Sequence, residues 1–165
     1  MYEKLQKIRA EKEAGERGFT LIELLVVVVI IGILVAIAIP LYLNYRQGAE
    51  NKSVESDIRN AVPTVEQFLS DNGAYPASGA MSGSDLVLTD GGTPATTSNV
   101  HTSSGNTLFY KVGGATPASF AVCGVNSDTS TYYGYTNAGT APTGFTSGQV
   151  AKITHAQATT VCAAP

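Results

Sequence analysis

Tryptophan is absent from this 165-residue chain, and cysteine occurs only twice. Two thiols are too few for a disulfide-dense miniprotein or a four-thiolate zinc site. Charge is scarce as well: Asp, Glu, Lys and Arg make up 14% of the residues, against about 25% in an average globular protein. The formal net charge is −3, so no global basic field argues for nucleic-acid binding. There is no phosphate-binding glycine loop, no Gly-x-Ser-x-Gly elbow and no His-Glu-x-x-His. The length excludes a TIM barrel or a two-domain enzyme. It leaves room for one modest domain, or a small domain plus an anchor.

What the chain does have is a concentrated apolar block near its start. Residues 1–18 are hydrophilic, with Lys4, Lys7, Arg9, Lys12 and Arg17 against Glu3, Glu11, Glu13 and Glu16. The run FTLIELLVVVVIIGILVAIAIPLYLNY then occupies residues 19–45, and Glu23 is its one formal charge. Residues 24–43 are 20 consecutive uncharged positions, nearly all apolar. At a helical rise of about 1.5 Å each they span roughly 30 Å, the hydrocarbon thickness of a bilayer. A buried core helix of that length would need a larger domain around it. Five Lys and Arg residues precede the run and Arg46 alone follows it closely. The asymmetry predicts a cytoplasmic N-terminus and an exported C-terminal part.

Residues 46–72 carry a different pattern. Val54, Ile58, Ala61, Val62, Val65, Phe68 and Leu69 recur in steps of three and four, so they share a helical face. Glu50, Lys52, Glu55, Asp57, Arg59 and Glu66 are expected largely on the other faces. Pro63 is expected to kink or locally break this helix. Asn72-Gly73 supplies its stop, glycine being suited to the left-handed cap.

Residues 73–165 are rich in Gly, Ala, Ser and Thr and nearly free of charge. Runs of β-formers lie at residues 107–112, 119–125 and 131–136, with a fourth candidate at 149–154. Close spacing and intervening turn residues suggest an antiparallel meander. Its apolar face needs cover, and the stripe from Val54 to Leu69 is available. A long loop is expected between Tyr75 and Asn106. The expected fold is therefore α+β: one long N-terminal helix with a small antiparallel sheet packed on its second half.

The most informative stretch is Gly18-Phe19-Thr20-Leu21-Ile22-Glu23-Leu24-Leu25. An ordinary secretory signal is cut after its apolar run; here a charged leader ends in Gly and the apolar run starts at once. At this junction the chain resembles the type IV pilin family, whose members include pseudopilin relatives. The resemblance implies that a prepilin peptidase cuts between Gly18 and Phe19 on the cytoplasmic side and methylates the new Phe19 amine. It covers residues 18–45 with high specificity, extends to Tyr75-Pro76, and says little beyond. Glu23 fits a role in assembly. A charge at the centre of a membrane helix costs about 3 kcal/mol on insertion scales, so it usually has a partner or a task. Near one end the cost is smaller, and a Glu without a role at the interface is the alternative. In the family a carboxylate in this place meets the N-terminal amine of a neighbouring subunit, so cleavage would create the ion pair that sets axial register.

Gly32 and Pro40 lie inside the apolar run. Both are tolerated in membrane helices, yet they cost about 1 and 3 kcal/mol in a helix interior. The resemblance implies a segment between them that loses helical hydrogen bonds on assembly. Cys123 and Cys162 enclose 38 residues in the exported part, where an oxidising compartment favours a disulfide. Two free thiols are the alternative; zinc is disfavoured because His101 and His155 do not stand at ligand spacing. Asp85 and Asp90 lack the spacing of a calcium loop. The three tyrosines Tyr132, Tyr133 and Tyr135 read as a strand with mixed faces before they read as a binding patch.

The expected organisation is a leader at 1–18, a membrane and assembly helix at 19–45, an amphipathic helix at 46–72 and an exported β head at 73–165. The expected role is a structural subunit polymerising with copies of itself into a pilus-like filament that serves adhesion, motility or DNA uptake. No cofactor, metal or catalytic residue is expected. Implied partners are the prepilin peptidase, an assembly ATPase, a membrane platform protein, minor pilins and the cytoplasmic membrane before assembly; nucleic acid enters only through the filament. A type II secretion pseudopilin is the rival within the class, although the cysteine pair and uncharged head favour a surface pilin. A membrane-tethered binding module, or a soluble protein cut by signal peptidase after Ala36-Ile37-Ala38, are the rivals outside it.

Overall fold

The computed structural model describes residues 19–115, 118–137 and 146–163. The chain forms two compact bodies, Met1–Asn44 and Tyr45–Pro165, and each is described separately. The helix α1, Leu21–Asn72, contributes to both over its 52 residues.

In the first body every large apolar side chain from Phe19 to Leu43 is exposed. From Leu21 onward the segment is helical, through both Gly32 and Pro40. It is long and apolar enough to cross a membrane.

The second body has an α+β fold. Among the described residues seven strands follow the helix: β1 Ser78–Ser82, β2 Asp85–Thr89, β3 Thr97–His101, β4 Asn106–Ala115, β5 Ala118–Asn126, β6 Tyr132–Thr136 and β7 Ala151–Ile153. A short helix, α2 His155–Cys162, comes last. The strands form two antiparallel sheets, in the orders β1-β2-β3 and β4-β5-β6-β7. The long loop expected between Tyr75 and Asn106 is thus replaced by a whole sheet. Leu86 and Leu88 alternate with half-buried neighbours on β2 and are fully buried. Gly and Ser dilute β1 and polar residues dilute β3, and only Leu86, Leu88 and Val100 carry the burial. Ser82 pairs with Asp85 across the β1–β2 turn. Gly83 takes φ +64° there, as a two-residue hairpin loop requires.

The main core joins Val54, Ile58, Ala61 and Val65 of α1 to Leu86, Leu88 and Val100 of the first sheet and Leu108, Tyr110, Phe120 and Val122 of the second. Alternate residues of the second sheet point the other way. Ala121, Cys123 and Ile153 pack there with Ala158 and Cys162 of α2. The second sheet is therefore covered on both faces, and α2, absent from the sequence reading, is the second cover. Its signal was present: Thr154 and Gln157 form a reciprocal capping box at its start.

Four local features differ from expectation or refine it. The helix runs through Pro63 without a break. Pro63 lies on an exposed face, where water can take the carbonyl that has lost its partner. The fourth strand shrinks from 149–154 to Ala151–Ile153 because Thr154 is already the cap of α2. Asp57, expected among the outward charges, is 4% exposed. The helix ends at Asn72, where the Gly73 N–H closes on the Leu69 carbonyl at 2.8 Å with φ +73°.

Asp57 is buried and hydrogen-bonded through both carboxylate oxygens. Its Oδ2 accepts from the Ser103 amide at 2.8 Å and from Asn106 Nδ2 at 2.6 Å, and its Oδ1 accepts from Ser103 Oγ at 2.9 Å. Asn106 in turn accepts from Asn126 Nδ2 at 2.8 Å. One helix carboxylate thereby fixes the end of the first sheet, the start of the second and the end of β5.

Candidate functional site

The structure places Phe19 just ahead of α1, 81% exposed. Gly18, the other side of the expected cut, lies outside the described residues, as does the rest of the expected leader. Glu23 stands in the first turn of the helix. Its Oε2 accepts from the Thr20 amide at 2.8 Å and from Thr20 Oγ1 at 2.9 Å, while the Glu23 amide donates back to Thr20 Oγ1 at 3.3 Å. This is a capping box, Thr at the cap and Glu three residues on. Sequence reasoning identified Glu23 and missed Thr20, although the Thr-x-x-Glu spacing before an apolar run carries that signal.

The geometry gives the carboxylate a defined place. It sits at the positive end of the helix dipole. A carboxylate has about four lone-pair sites, and Thr20 occupies Oε2 alone, so Oε1 remains for an incoming cationic donor. Gly32 and Pro40 lie 9 and 17 positions further along the same helix. An added side-chain carbon at Gly32 would meet nothing within 4 Å, so packing within the chain does not require glycine there.

Cys123 on β5 and Cys162 at the end of α2 form a disulfide with Cα atoms 5.9 Å apart. Both are buried. Lys111 Nζ donates to the Thr160 carbonyl at 3.2 Å near the same helix end. His101 and Asp85 pair with each other across β2 and β3, Nδ1 to Oδ1, at 2.8 Å. His155 opens α2 with its ring against Tyr132. Asp90 holds its own turn, accepting from the Gly92 and Thr96 amides. Those bonds lower its carboxyl pKa from the ordinary value. Among the described residues no three His, Cys, Asp or Glu side chains gather to hold a metal. Tyr133 and Tyr135 face the α1 side of the sheet and Tyr132 the α2 side.

Comparison with known proteins agrees with this architecture. Residues 14–39 match the prokaryotic N-terminal methylation motif. The chain is 38% identical over 90 residues to the type IV narrow pilus major component PilA5 of Thermus thermophilus, which covers 47% of this chain and 74% of that one. An exposed apolar N-terminal helix, a capped acidic residue in its first turn and a disulfide-closed β head define a pilin-class chain. The chain belongs to the type IV pilin family. It is also 40% identical over 68 residues to fimbrial protein EcpC of Eikenella corrodens, covering 41% of this chain and 44% of that protein. To the type II secretion system core protein G of Klebsiella michiganensis it is 35% identical over 65 residues, covering 39% and 46%. It thus spans less than half the length of these last two relatives. No solved structure matches the chain.

Proposed function

We propose that the chain is the structural subunit of a type IV pilus-like filament, cut between Gly18 and Phe19 and assembled through its apolar N-terminal helix. The observation that carries this reading is the helix start. A capped Glu23 is the only charge in an otherwise apolar segment whose side chains all lack cover within the chain. Before assembly, residues 19–45 anchor the subunit in the cytoplasmic membrane with the head exported. On assembly, copies of this helix cover one another, and lipid is exchanged for protein with little change in apolar burial. Selection of register then falls to polar contacts, and the Phe19 amine with a neighbour's Glu23 supplies one. Residues 46–72 and 73–165 form the head. Gly32 and Pro40 mark the stretch that can give up helical hydrogen bonds. The prepilin peptidase, an assembly ATPase, a platform protein and minor pilins are the partners this role calls for. Catalysis belongs to those partners, and the chain itself is assigned none.

A secretion pseudopilin is the second reading, favoured by the similarity to core protein G. Gold-labelled antibody to the head separates the two. Decoration along surface filaments micrometres from the cell supports the pilus subunit. Label confined to the envelope, with loss of a secreted protein on deletion of the gene, supports the pseudopilin and overturns the first reading.

A further inference from the structure

We infer that the free edge of β3, Thr97–His101, is a self-recognition strand that pairs antiparallel with β3 of a second copy, in a register centred on Asn99. The β2–β3 ladder fixes which backbone groups that edge leaves open. Leu86 stands opposite Val100 and Leu88 opposite Ser98. Just outside the strand, the Thr102 amide donates to the Ser84 carbonyl at 2.8 Å and the Asp90 amide to the Thr96 carbonyl at 3.2 Å. Bonded pairs alternate along an antiparallel ladder, so Ser98 and Val100 are the strand residues bonded to β2. The N–H and C=O groups of Thr97, Asn99 and His101 therefore point away from it. β3 ends its sheet, and these three residues are exposed.

Among the described residues the other sheet edges are covered or guarded. β1 lies against β4: a side-chain carbon at Gly79 would come within 2.9 Å of Tyr110 Cβ. β7 is three residues long, carries the exposed Lys152 and runs straight into the cap of α2. A short edge and a lysine are common guards against strand addition. β3 has neither guard. Its sequence, Thr-Ser-Asn-Val-His, also lacks proline, and its register with β2 is regular.

A second copy fits this edge in both hydrogen bonding and charge. Turned antiparallel about Asn99, the strand sets Thr97 opposite the partner's His101 and Asn99 opposite the partner's Asn99. All three such pairs fall on bonded positions, so each open N–H meets an open C=O. A shift of one residue would instead oppose open groups to groups already bonded to β2. Asp, Glu, Lys and Arg are absent from the strand, and His101 Nδ1 is held by its own Asp85 at 2.8 Å. No like charges are therefore brought face to face. One such strand pair is marginal alone. Its consequence rests on the filament reading: subunits of a filament point one way, so a two-fold contact joins heads of different filaments. Repetition along two filaments turns weak pairs into firm lateral association.

The native cysteines are joined to each other, so one added cysteine reports alone. Full-length chain carrying Asn99→Cys, Thr97→Cys or His101→Cys is prepared as sheared filaments and in detergent micelles, then oxidised with copper phenanthroline. Residue 99 should meet its copy at a Cα distance of about 5.5 Å, within disulfide reach, and Asn99→Cys should run mostly as a linked dimer. Residue 97 stands about 14 Å from its copy, so Thr97→Cys should stay monomeric alone and dimerise when mixed with His101→Cys. Asn99→Pro removes an open N–H without touching the β2 ladder, and Asn99→Lys adds an edge charge. Both should keep the wild-type urea midpoint and lower the low-speed pellet of bundled filaments by about tenfold or more. No dimer from Asn99→Cys, or equal dimer from Thr97→Cys alone, overturns the pairing. Undiminished bundling in both Asn99→Pro and Asn99→Lys overturns its role between filaments. If no filaments can be sheared from cells, the filament reading falls, and the micelle reaction alone decides the pairing.

Discussion

Thr20 holds Glu23 through two donors on one oxygen: its amide at 2.8 Å and its hydroxyl at 2.9 Å both reach Oε2. The carboxylate proposed to recognise a neighbouring subunit is therefore oriented by its own chain before any neighbour arrives. Thr20→Ala removes the hydroxyl, and loss of such a cap costs about 1 kcal/mol. We expect Thr20→Ala to be cut normally but to accumulate in membranes, with less protein in the sheared filament fraction. Thr20→Ser should restore the yield. Wild-type yield from Thr20→Ala would remove the capping box from the assembly account.

The buried carboxylate of Asp57 is expected to be the most sensitive polar position in the head. Asp57→Ala leaves the Ser103 amide, the Ser103 hydroxyl and one Asn106 amide hydrogen bond without their acceptor. Unsatisfied buried groups cost about 1–3 kcal/mol each, and relaxation shares the penalty. The unfolding free energy of the full chain in detergent should fall by about 3 kcal/mol, read from the urea midpoint. Glu66→Ala, at an exposed position on the same helix, should change it little.

Gly124 lies on the second sheet directly against Val54 and Ile58 of α1. A side-chain carbon there would lie 2.7 Å from Leu108 Cδ2 and 2.8 Å from Val54 Cγ1. Both neighbours are fully buried, so neither can yield cheaply. Gly124→Ala should destabilise the head by about 1–3 kcal/mol, the usual range for overpacking. Gly148→Ala, with open space around it, pays only the strain of its positive φ. Equal midpoints for Gly124→Ala and wild type would contradict this packing.

Alkaline titration should separate the tyrosines. Burial, and then the nearby Tyr75, push the Tyr110 phenol far up; its hydroxyl donates to the Pro76 carbonyl at 3.0 Å. Burial also raises Tyr133 and Tyr135, with Glu55 and Glu66 adding to the effect. A phenol raised in the folded state contributes stability that is complete below the unfolded value of about 10. That contribution is lost as pH rises through the folded value. At about pH 11 the native chain should show fewer tyrosinates by ultraviolet absorbance than the urea-unfolded chain. Superposable curves would contradict the burial of this cluster.

Much of this molecule was legible because its strongest signals are periodic and dense. The apolar run and the stripe Val54, Ile58, Ala61 and Val65 needed no tertiary information, and the strands around Leu108, Phe120 and Tyr133 carry enough β-formers to stand out. The first sheet did not stand out, because its burial rests on three residues set among Gly, Ser, Thr and Asn, whose local preference is for turns. Asp57 was placed outside on charge alone; a carboxylate among the stripe residues goes inside only when donors come to it, and Ser103 and Asn106 are far away in sequence. The assembly carboxylate was legible as an isolated charge in an apolar run. Its partner Thr20 was hidden in the same motif, since a capping role is read from spacing rather than from charge.

The measurement that tests the central claim most directly is the N-terminal residue and intact mass of the protein sheared from the cell surface. The account predicts a chain starting at methylated Phe19, two hydrogens lighter than the reduced form because Cys123 and Cys162 are joined. A chain starting at Met1 and found only in membranes would contradict it.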